Sequence, residues 1–139
     1  MNYIKTTLIA LIAMFGTASL AEAQDWANLN RFKEDNEKVC MPRSCDDRVV
    51  FMGNSITEGW INNVPEFFAD RPYINRGIGG QTTPQMLIRF RQDVIDLYPK
   101  VVVILAGIND IAGNTGPSTL EMIEDNIHSM TDLAQANGI

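Results

Sequence analysis

The stretch "VVFMGNSITEGW" at residues 49–60 decides the fold, because it joins an apolar run to a polar turn and then to a helical pattern. The four apolar residues predict a buried strand, and the glycine, asparagine and serine that follow predict a turn. Two explanations of Ser55 stay open at this point. With Glu58 it fits the S-x-x-E capping box of a helix start. It also lies where a tight strand-to-helix turn can expose a nucleophile.

The alternation of strand and helix continues along the chain. The predicted elements, in order, are a strand at 48–53, a largely helical segment at 55–69, a short strand at 73–75, a helix from Thr83 that Pro99 stops, a strand at 100–107 that is buried on both faces, and a helix from Ser118. Gly59 and Pro65 are expected to interrupt the first helical segment, and Ser118 with Glu121 forms a second capping box. This βαβαβα order predicts an α/β fold, with helices on both faces of a parallel sheet and the first strand between the other two. Ile139 has the character of the first residue of another strand, so we expect the chain to be cut short.

Composition and the N-terminus restrict the class of protein. The chain has 139 residues, a net charge of −6 and 45% hydrophobic residues, as in an ordinary soluble domain. Residues 1–23 combine an early lysine, a short apolar stretch and an A-x-A site, which predicts a secretory signal peptide cleaved after Ala23; an uncleaved anchor is the alternative. An acidic chain is a poor partner for nucleic acid or anionic membranes. We therefore expect a periplasmic or secreted protein without nucleic acid or stable membrane association.

The part after the signal peptide divides into two segments. Residues 24–47 contain a short polar helix at 25–39 and a connector, and residues 48–139 form the main domain. Cys40 and Cys45 are the only cysteines, and in an oxidising compartment a disulfide between them stays an open alternative. Without a nearby histidine they do not form a zinc site, so no metal is expected.

Polar loops follow all three predicted strands. Ser55 follows the first strand, Gly79 and Gly80 follow the second, and Asn109 and Asp110 follow the third. The strands of a parallel sheet end at one edge, where such folds bind ligands, so these loops should meet in one crevice. A hydroxyl, a backbone N–H and an amide side chain are what acyl transfer needs, because fixed donors stabilise an oxyanion. Each loop alone could also be an ordinary turn, and we interpret Asp110 as holding its loop together through its own hydrogen bonds.

Taken together, the motifs resemble the SGNH, or GDSL-type, serine hydrolase superfamily. "GNSITEGW" is similar to its first block with Ser55 as nucleophile, "NRGIGGQTT" to the second with the Gly80 N–H in the oxyanion hole, and "GIND" to the third with the Asn109 amide. The resemblance covers about residues 48–137 and implies a flavodoxin-like three-layer α/β/α fold. It also implies metal-free ester hydrolysis through an acyl-enzyme, with no cofactor. Exported bacterial members deacetylate carbohydrates or cleave simple acyl esters, so the implied partner is a small-molecule or carbohydrate ester substrate.

Two departures from the superfamily pattern bear on activity. Asn54 replaces the aspartate of the commoner Gly-Asp-Ser, which leaves the serine in place. The Asp-x-x-His block of the superfamily lies near its C-terminus, beyond Ile139, and the single histidine, His128, lies on a predicted helix that runs away from the catalytic edge. With Asp125 it imitates the block by accident. We therefore expect this 139-residue chain to hydrolyse esters poorly or not at all. The alternative function is a non-catalytic carbohydrate-binding or structural protein that retains the fold.

Overall fold

The structure, a computed structural model, describes residues 24–39, 41–42 and 47–139. The predicted signal peptide at residues 1–23 and the candidate disulfide of Cys40 and Cys45 lie outside these residues. Across the described ranges, no helix combines the length and the apolar character that a membrane span requires. The elements in chain order are α1 (Lys33–Lys38), β1 (Val49–Gly53), α2 (Ser55–Asn63), α3 (Pro65–Phe68), β2 (Tyr73–Gly77), α4 (Thr83–Asp93), a 3₁₀ turn (Ile95–Leu97), β3 (Val101–Leu105), α5 (Ile108–Ile111) and α6 (Leu120–Ala136).

The three strands form one parallel sheet in the order β2-β1-β3. Val49 is in register with Tyr73 on one side and with Val101 on the other. The predicted α/β fold, and the predicted central position of the first strand, are therefore confirmed. Strand β2 runs two residues beyond the predicted 73–75, because its ladder with β1 continues to the end of β1, where Gly77 pairs with Gly53.

Helices cover both faces of the central strand, as the alternation of side chains along β1 requires. On one face, Val50 and Met52 are fully buried in a core with α4, the 3₁₀ turn and α6. On the other face, the Phe51 ring makes edge-on contacts with Trp60 of α2 and Phe68 of α3. Burying one such apolar side chain contributes about 1.5–3 kcal/mol to the stability of the fold. Because β1 buries side chains on both faces, it stabilises the packing of both helical layers.

Strand β3 differs from its prediction. The sequence predicts burial on both faces, but Val101, Val103 and Leu105 are 46%, 43% and 38% exposed. Val102 and Ile104, on the opposite face, do pack against the core. The prediction is wrong for the described sheet because β3 is an edge strand and α2 packs on β1 and β2 instead.

Helix starts also differ from the predicted capping boxes. Asn54, and not Ser55, is the N-cap of α2, and its Oδ1 accepts a hydrogen bond from the Ile56 N–H at 3.0 Å. Helix α6 is capped by Thr119 in place of Ser118. Asn54 and Thr119 each have the extended backbone that directs a side-chain oxygen towards the amides of the first turn.

Two other helix predictions need correction. Helix α2 passes through Gly59 without interruption and ends before Val64, because Pro65 restricts the residue that precedes it. The helix predicted at 25–39 is present only as α1. Residues before it form turns in which the Asp25 carboxylate accepts hydrogen bonds from two backbone N–H groups further along the chain.

Candidate active site

The three loops that follow the strands meet at one edge of the sheet. Ser55 is the first residue of α2, directly after β1. A Cβ atom built on Gly79, in the loop after β2, would lie 3.8 Å from the Ser55 Cβ. Asn109, in α5 after β3, donates from its Nδ2 to the backbone oxygen of Gln81 at 2.9 Å. The sequence predicts three residues for this site, Ser55, Gly80 and Asn109. Their loops are therefore joined at this edge.

Ser55 is exposed and its hydroxyl takes no part in capping α2. Because the Asn54 side chain caps the helix, the Ser55 side chain forms no hydrogen bond to the part of the chain that the structure describes. Its partner in the predicted capping box has another role as well. The Glu58 Oε2 accepts a hydrogen bond from the Gly79 N–H at 2.8 Å, and so binds the glycine loop to α2.

The glycine loop presents one free amide. Gly80 has φ +75°, a conformation that residues with a side chain rarely adopt, and its carbonyl accepts a hydrogen bond from Asn114 Nδ2 at 3.0 Å. The Gly79 N–H is occupied by Glu58. The Gly80 N–H, by contrast, has no hydrogen-bond partner within the described ranges. Of these two amides, Gly80 is the one that can bind a ligand without breaking an existing bond.

Asn109 and Asp110 have different roles. Asn109 is half-buried, and its amide keeps one N–H beyond the one that bonds to Gln81. Asp110 is buried, and its carboxylate accepts hydrogen bonds from the Thr83 N–H at 3.0 Å and the Thr83 hydroxyl at 2.6 Å. It thus binds the third loop to the start of α4. The Asp110 carboxylate does form structural hydrogen bonds, as predicted, but they join its loop to α4 and do not lie within the loop itself.

A buried ion pair below the loops was not predicted. Arg89 and Asp93 of α4 are both fully buried, with 2.9 Å between Nη1 and Oδ2. Burial lowers the pKa of the Arg89 guanidinium, and the hydrogen bond to Asp93 opposes that shift. The spacing of four residues is a signal in the sequence, but on most helices such a pair is exposed. Only the tertiary structure shows that this one is covered.

The N-terminal segment, predicted as a helix and connector, forms walls of two clefts beside the glycine loop. One cleft of about 650 Å³ is lined by Ser55, Glu58 and Arg31. The other, of about 590 Å³, is lined by Gly80 and Trp26. Glutamine side chains hold the segment in place by donating to its backbone carbonyls, at 2.6–2.7 Å, as in Gln81 to Ala27, Gln85 to Trp26 and Gln92 to Leu29.

His128 is separate from these groups. It is exposed on α6, and its Nε2 lies 4.0 Å from the Glu124 Oε1 one turn earlier. No contact between His128 and Ser55 occurs within the ranges that the structure describes, which agrees with the interpretation of the Asp125–His128 match as accidental. Those ranges also contain no cluster of three or more histidine, cysteine or acidic side chains.

The sequence matches a known family over most of the main domain. A model of the GDSL-like Lipase/Acylhydrolase family matches residues 51–139. The chain therefore belongs to this family, and the resemblance inferred from its three motifs is confirmed.

Two solved structures agree with this assignment, and one curated protein is similar over a shorter part of the chain. A proposed acylhydrolase from Bacteroides fragilis NCTC 9343 is 55% identical with a TM-score of 0.82, over 84% of this chain and 56% of that one. A GDSL-like lipase from Bacteroides thetaiotaomicron VPI-5482 is 51% identical with a TM-score of 0.79, over 81% and 55%. The uncharacterized lipoprotein YqeF of Bacillus subtilis strain 168 is 37% identical, over 52% of this chain and 35% of that protein. The chain thus spans a little over half the length of the two structures.

Proposed function

We propose that this chain belongs to a serine esterase that hydrolyses carboxylic esters through an acyl-enzyme, with Ser55 as the nucleophile. The observation that carries the proposal is the exposed Ser55 hydroxyl, which α2 does not use for capping, beside a glycine turn with a free Gly80 N–H. Membership of an acylhydrolase family, and the names of the two similar Bacteroides structures, support the same reaction class.

In this mechanism the Ser55 Oγ attacks the ester carbonyl while a base removes its proton. The carbonyl oxygen becomes an oxyanion, and the Gly80 N–H and the second Asn109 N–H donate hydrogen bonds to it. Each such donor lowers the barrier by about 3–4 kcal/mol because it is already oriented before the charge develops. The alcohol then leaves with a proton from the base. Water takes its place: the base removes a proton from the water as its oxygen attacks the acyl-Ser55 carbonyl, and the carboxylic acid leaves while the Ser55 Oγ regains a proton from the base.

The base is proposed to come from outside these 139 residues. The His128 Nε2 lies 4.0 Å from Glu124 on its own helix and does not contact Ser55 within the described residues, and the similar structures are nearly twice as long as the matched region. We place the Asp-x-x-His block of the family in the remaining length. A serine hydroxyl is a weak nucleophile without an adjacent base, so the chain by itself should hydrolyse esters poorly or not at all.

The proposed location is supported by the sequence pattern of the N-terminus, and the proposed substrate by the net charge and the clefts. We propose an exported protein, released after Ala23, that acts on small acyl esters or deacetylates carbohydrates. The pattern of residues 1–23 supports export, and the net charge of −6 argues against nucleic acid and anionic membranes as partners. The two clefts beside Ser55 and Gly80 offer room for both sides of an ester. No metal or cofactor is part of the proposal.

The test is hydrolysis of p-nitrophenyl acetate by the full-length protein. Ser55→Ala should abolish turnover and labelling by a fluorophosphonate probe, while the far-ultraviolet circular dichroism stays unchanged. Ser129→Ala is the matched control, because within the described residues the Ser129 hydroxyl bonds only the Asp125 carbonyl of its own helix. A folded Ser55→Ala protein with undiminished turnover would refute the assignment of the nucleophile. A wild-type protein that binds acetylated sugars without hydrolysing any ester would favour the non-catalytic alternative.

A further inference from the structure

The buried guanidinium of Arg89 forms hydrogen bonds to β1, to β2 and to the loop that contains Gly80. Arg89 donates from Nη2 to the Gly53 carbonyl at 3.2 Å and to the Arg76 carbonyl at 2.9 Å. Its Nε donates to the Gln81 side-chain oxygen at 2.6 Å, and its Nη1 to Asp93 at 2.9 Å. The side chains of Arg89 and Asp93 are 0% exposed. The arginine fork therefore connects two strand ends and a loop, and water does not compete for it.

The three acceptors Gly53, Arg76 and Gln81 all lie close in sequence to the proposed site residues or their loops. Gly53 is the last residue of β1, two residues before Ser55. Arg76 is the penultimate residue of β2, and Gln81 directly follows Gly80. The guanidinium thus spans the start of the nucleophile turn and both ends of the glycine loop. A lysine ammonium could keep the charge but not this planar, multi-directional set of bonds.

Stability alone is a weak reason for such an arrangement. Removing two charges from water is costly, and well-packed apolar residues often stabilise a fold as well or better. The cost here is offset by the four hydrogen bonds that Arg89 donates and by the bond in which the Asp93 Oδ1 accepts from Asn36 Nδ2 at 2.7 Å. Asn36 in turn accepts from the Arg76 Nε at 2.9 Å. A bonded network of this kind defines the geometry of the elements that it joins.

We propose that Arg89 is a positioning residue of the esterase, which holds the Ser55 turn and the Gly80 loop at the separation that the reaction requires. The inference rests on the proposed roles of Ser55 and Gly80. Arg89 does not touch substrate. It acts through the Gly53 and Arg76 carbonyls and through Gln81, and a displacement of about 1 Å between nucleophile and oxyanion donor is enough to slow an enzyme about a hundredfold.

The first experiment compares two arginine-to-lysine variants of the full-length protein with p-nitrophenyl acetate. Arg89→Lys should lower kcat 10- to 100-fold while KM stays within threefold. Arg48→Lys is the matched control, because Arg48 is also buried but lies before the opposite end of β1, where it donates to the Leu97 carbonyl. It should lower the melting temperature and leave kcat within threefold. Equal losses of stability with no loss of kcat in Arg89→Lys would overturn the proposal.

A second variant keeps the proposal testable if Arg89→Lys does not fold. Gln81→Met removes only the acceptor of Arg89 in the loop and the donor to Ala27, and should lower kcat at least tenfold. In the double variant the two losses should not multiply, because both break the same link. A Gln81→Met protein with kcat within threefold of the parent would also overturn the proposal.

A readout that does not need turnover separates this inference from the proposed function. Amide hydrogen exchange in residues 78–82 should be at least tenfold faster in Arg89→Lys than in the parent, whether or not Ser55 is the nucleophile. Unchanged exchange in that loop would refute the positioning role even if Ser55→Ala is inactive. Faster exchange together with an active Ser55→Ala protein would instead refute the proposed function.

Discussion

Replacing Gly77 by alanine should displace the helix that carries Ser55. Gly77 ends β2, and a Cβ added there would lie 2.1 Å from the Glu58 backbone nitrogen and 2.6 Å from the Thr57 carbonyl carbon. Ordinary van der Waals contacts of a Cβ begin at 3.4 Å. Both obstacles are backbone atoms of α2, so no side-chain rotation relieves the overlap. Helix and strand must separate by roughly 1 Å in a region packed as densely as a crystal.

The expected effects of Gly77→Ala are large in both stability and rate. Overpacking of a dense core costs about 1–3 kcal/mol, and because backbone blocks the new methyl group we expect the upper end, about 3 kcal/mol. Ser55 begins the displaced helix, so its Oγ shifts relative to the Gly80 loop. A shift of about 1 Å should lower kcat by about a hundredfold. Urea denaturation of the full-length protein and initial rates with p-nitrophenyl acetate measure the two effects.

Gly59→Ala is the matched control within the same helix. A Cβ at Gly59 meets only the Asn63 Nδ2, at 3.4 Å, which is the movable end of a side chain. Since Gly59 is inside α2, alanine should stabilise the protein by about 0.5–1 kcal/mol and leave kcat within twofold. A Gly77→Ala protein as stable and active as the parent would refute the reasoning. So would a Gly59→Ala protein that loses as much stability as Gly77→Ala.

Two further substitutions test the third loop. Asn109→Ala removes a proposed oxyanion donor and its bond to Gln81, and should lower kcat with p-nitrophenyl acetate at least about a hundredfold; a loss below fivefold would contradict its role. Asp110→Ala leaves the buried Thr83 N–H and hydroxyl without their acceptor, and should lower the free energy of unfolding in urea by about 3 kcal/mol. Asp110→Asn should cost less because one acceptor oxygen remains, and equal losses in the two variants would argue against this explanation.

The fold was predictable because it depends on periodic patterns. Apolar runs of strand length alternate with helical spacing, and that alternation leaves little choice beyond a parallel sheet with helices on both faces. The convergence of the loops after β1, β2 and β3 follows from the same rule, since parallel strands end at one edge. Strand order and the shared position of the three loops therefore needed no knowledge of side-chain packing.

Contacts between distant side chains and backbone were not predictable. The role of the N-terminal segment depends on glutamine amides that reach its carbonyls across more than fifty residues, as from Gln85 to Trp26. Glutamines at such positions have the appearance of ordinary exposed helix residues. Arg89 and Asp93 are similar, because an i,i+4 pair indicates an exposed helix face until the other elements cover it. Periodicity carries no information about bonds of this kind.

The neighbours of Ser55 exclude one of its two explanations, the capping of α2. A serine that caps a helix directs its oxygen at the amides of its own first turn, and an attack on an external carbonyl would cost that cap. Here the Asn54 Oδ1 caps α2 from the preceding position, one residue closer to β1. Glu58, the other half of the supposed capping box, binds the Gly79 N–H and leaves Gly80 as the free amide. Asn54 thus caps α2 in place of Ser55, and Glu58 binds the glycine loop. The Ser55 hydroxyl is therefore not used by its own helix.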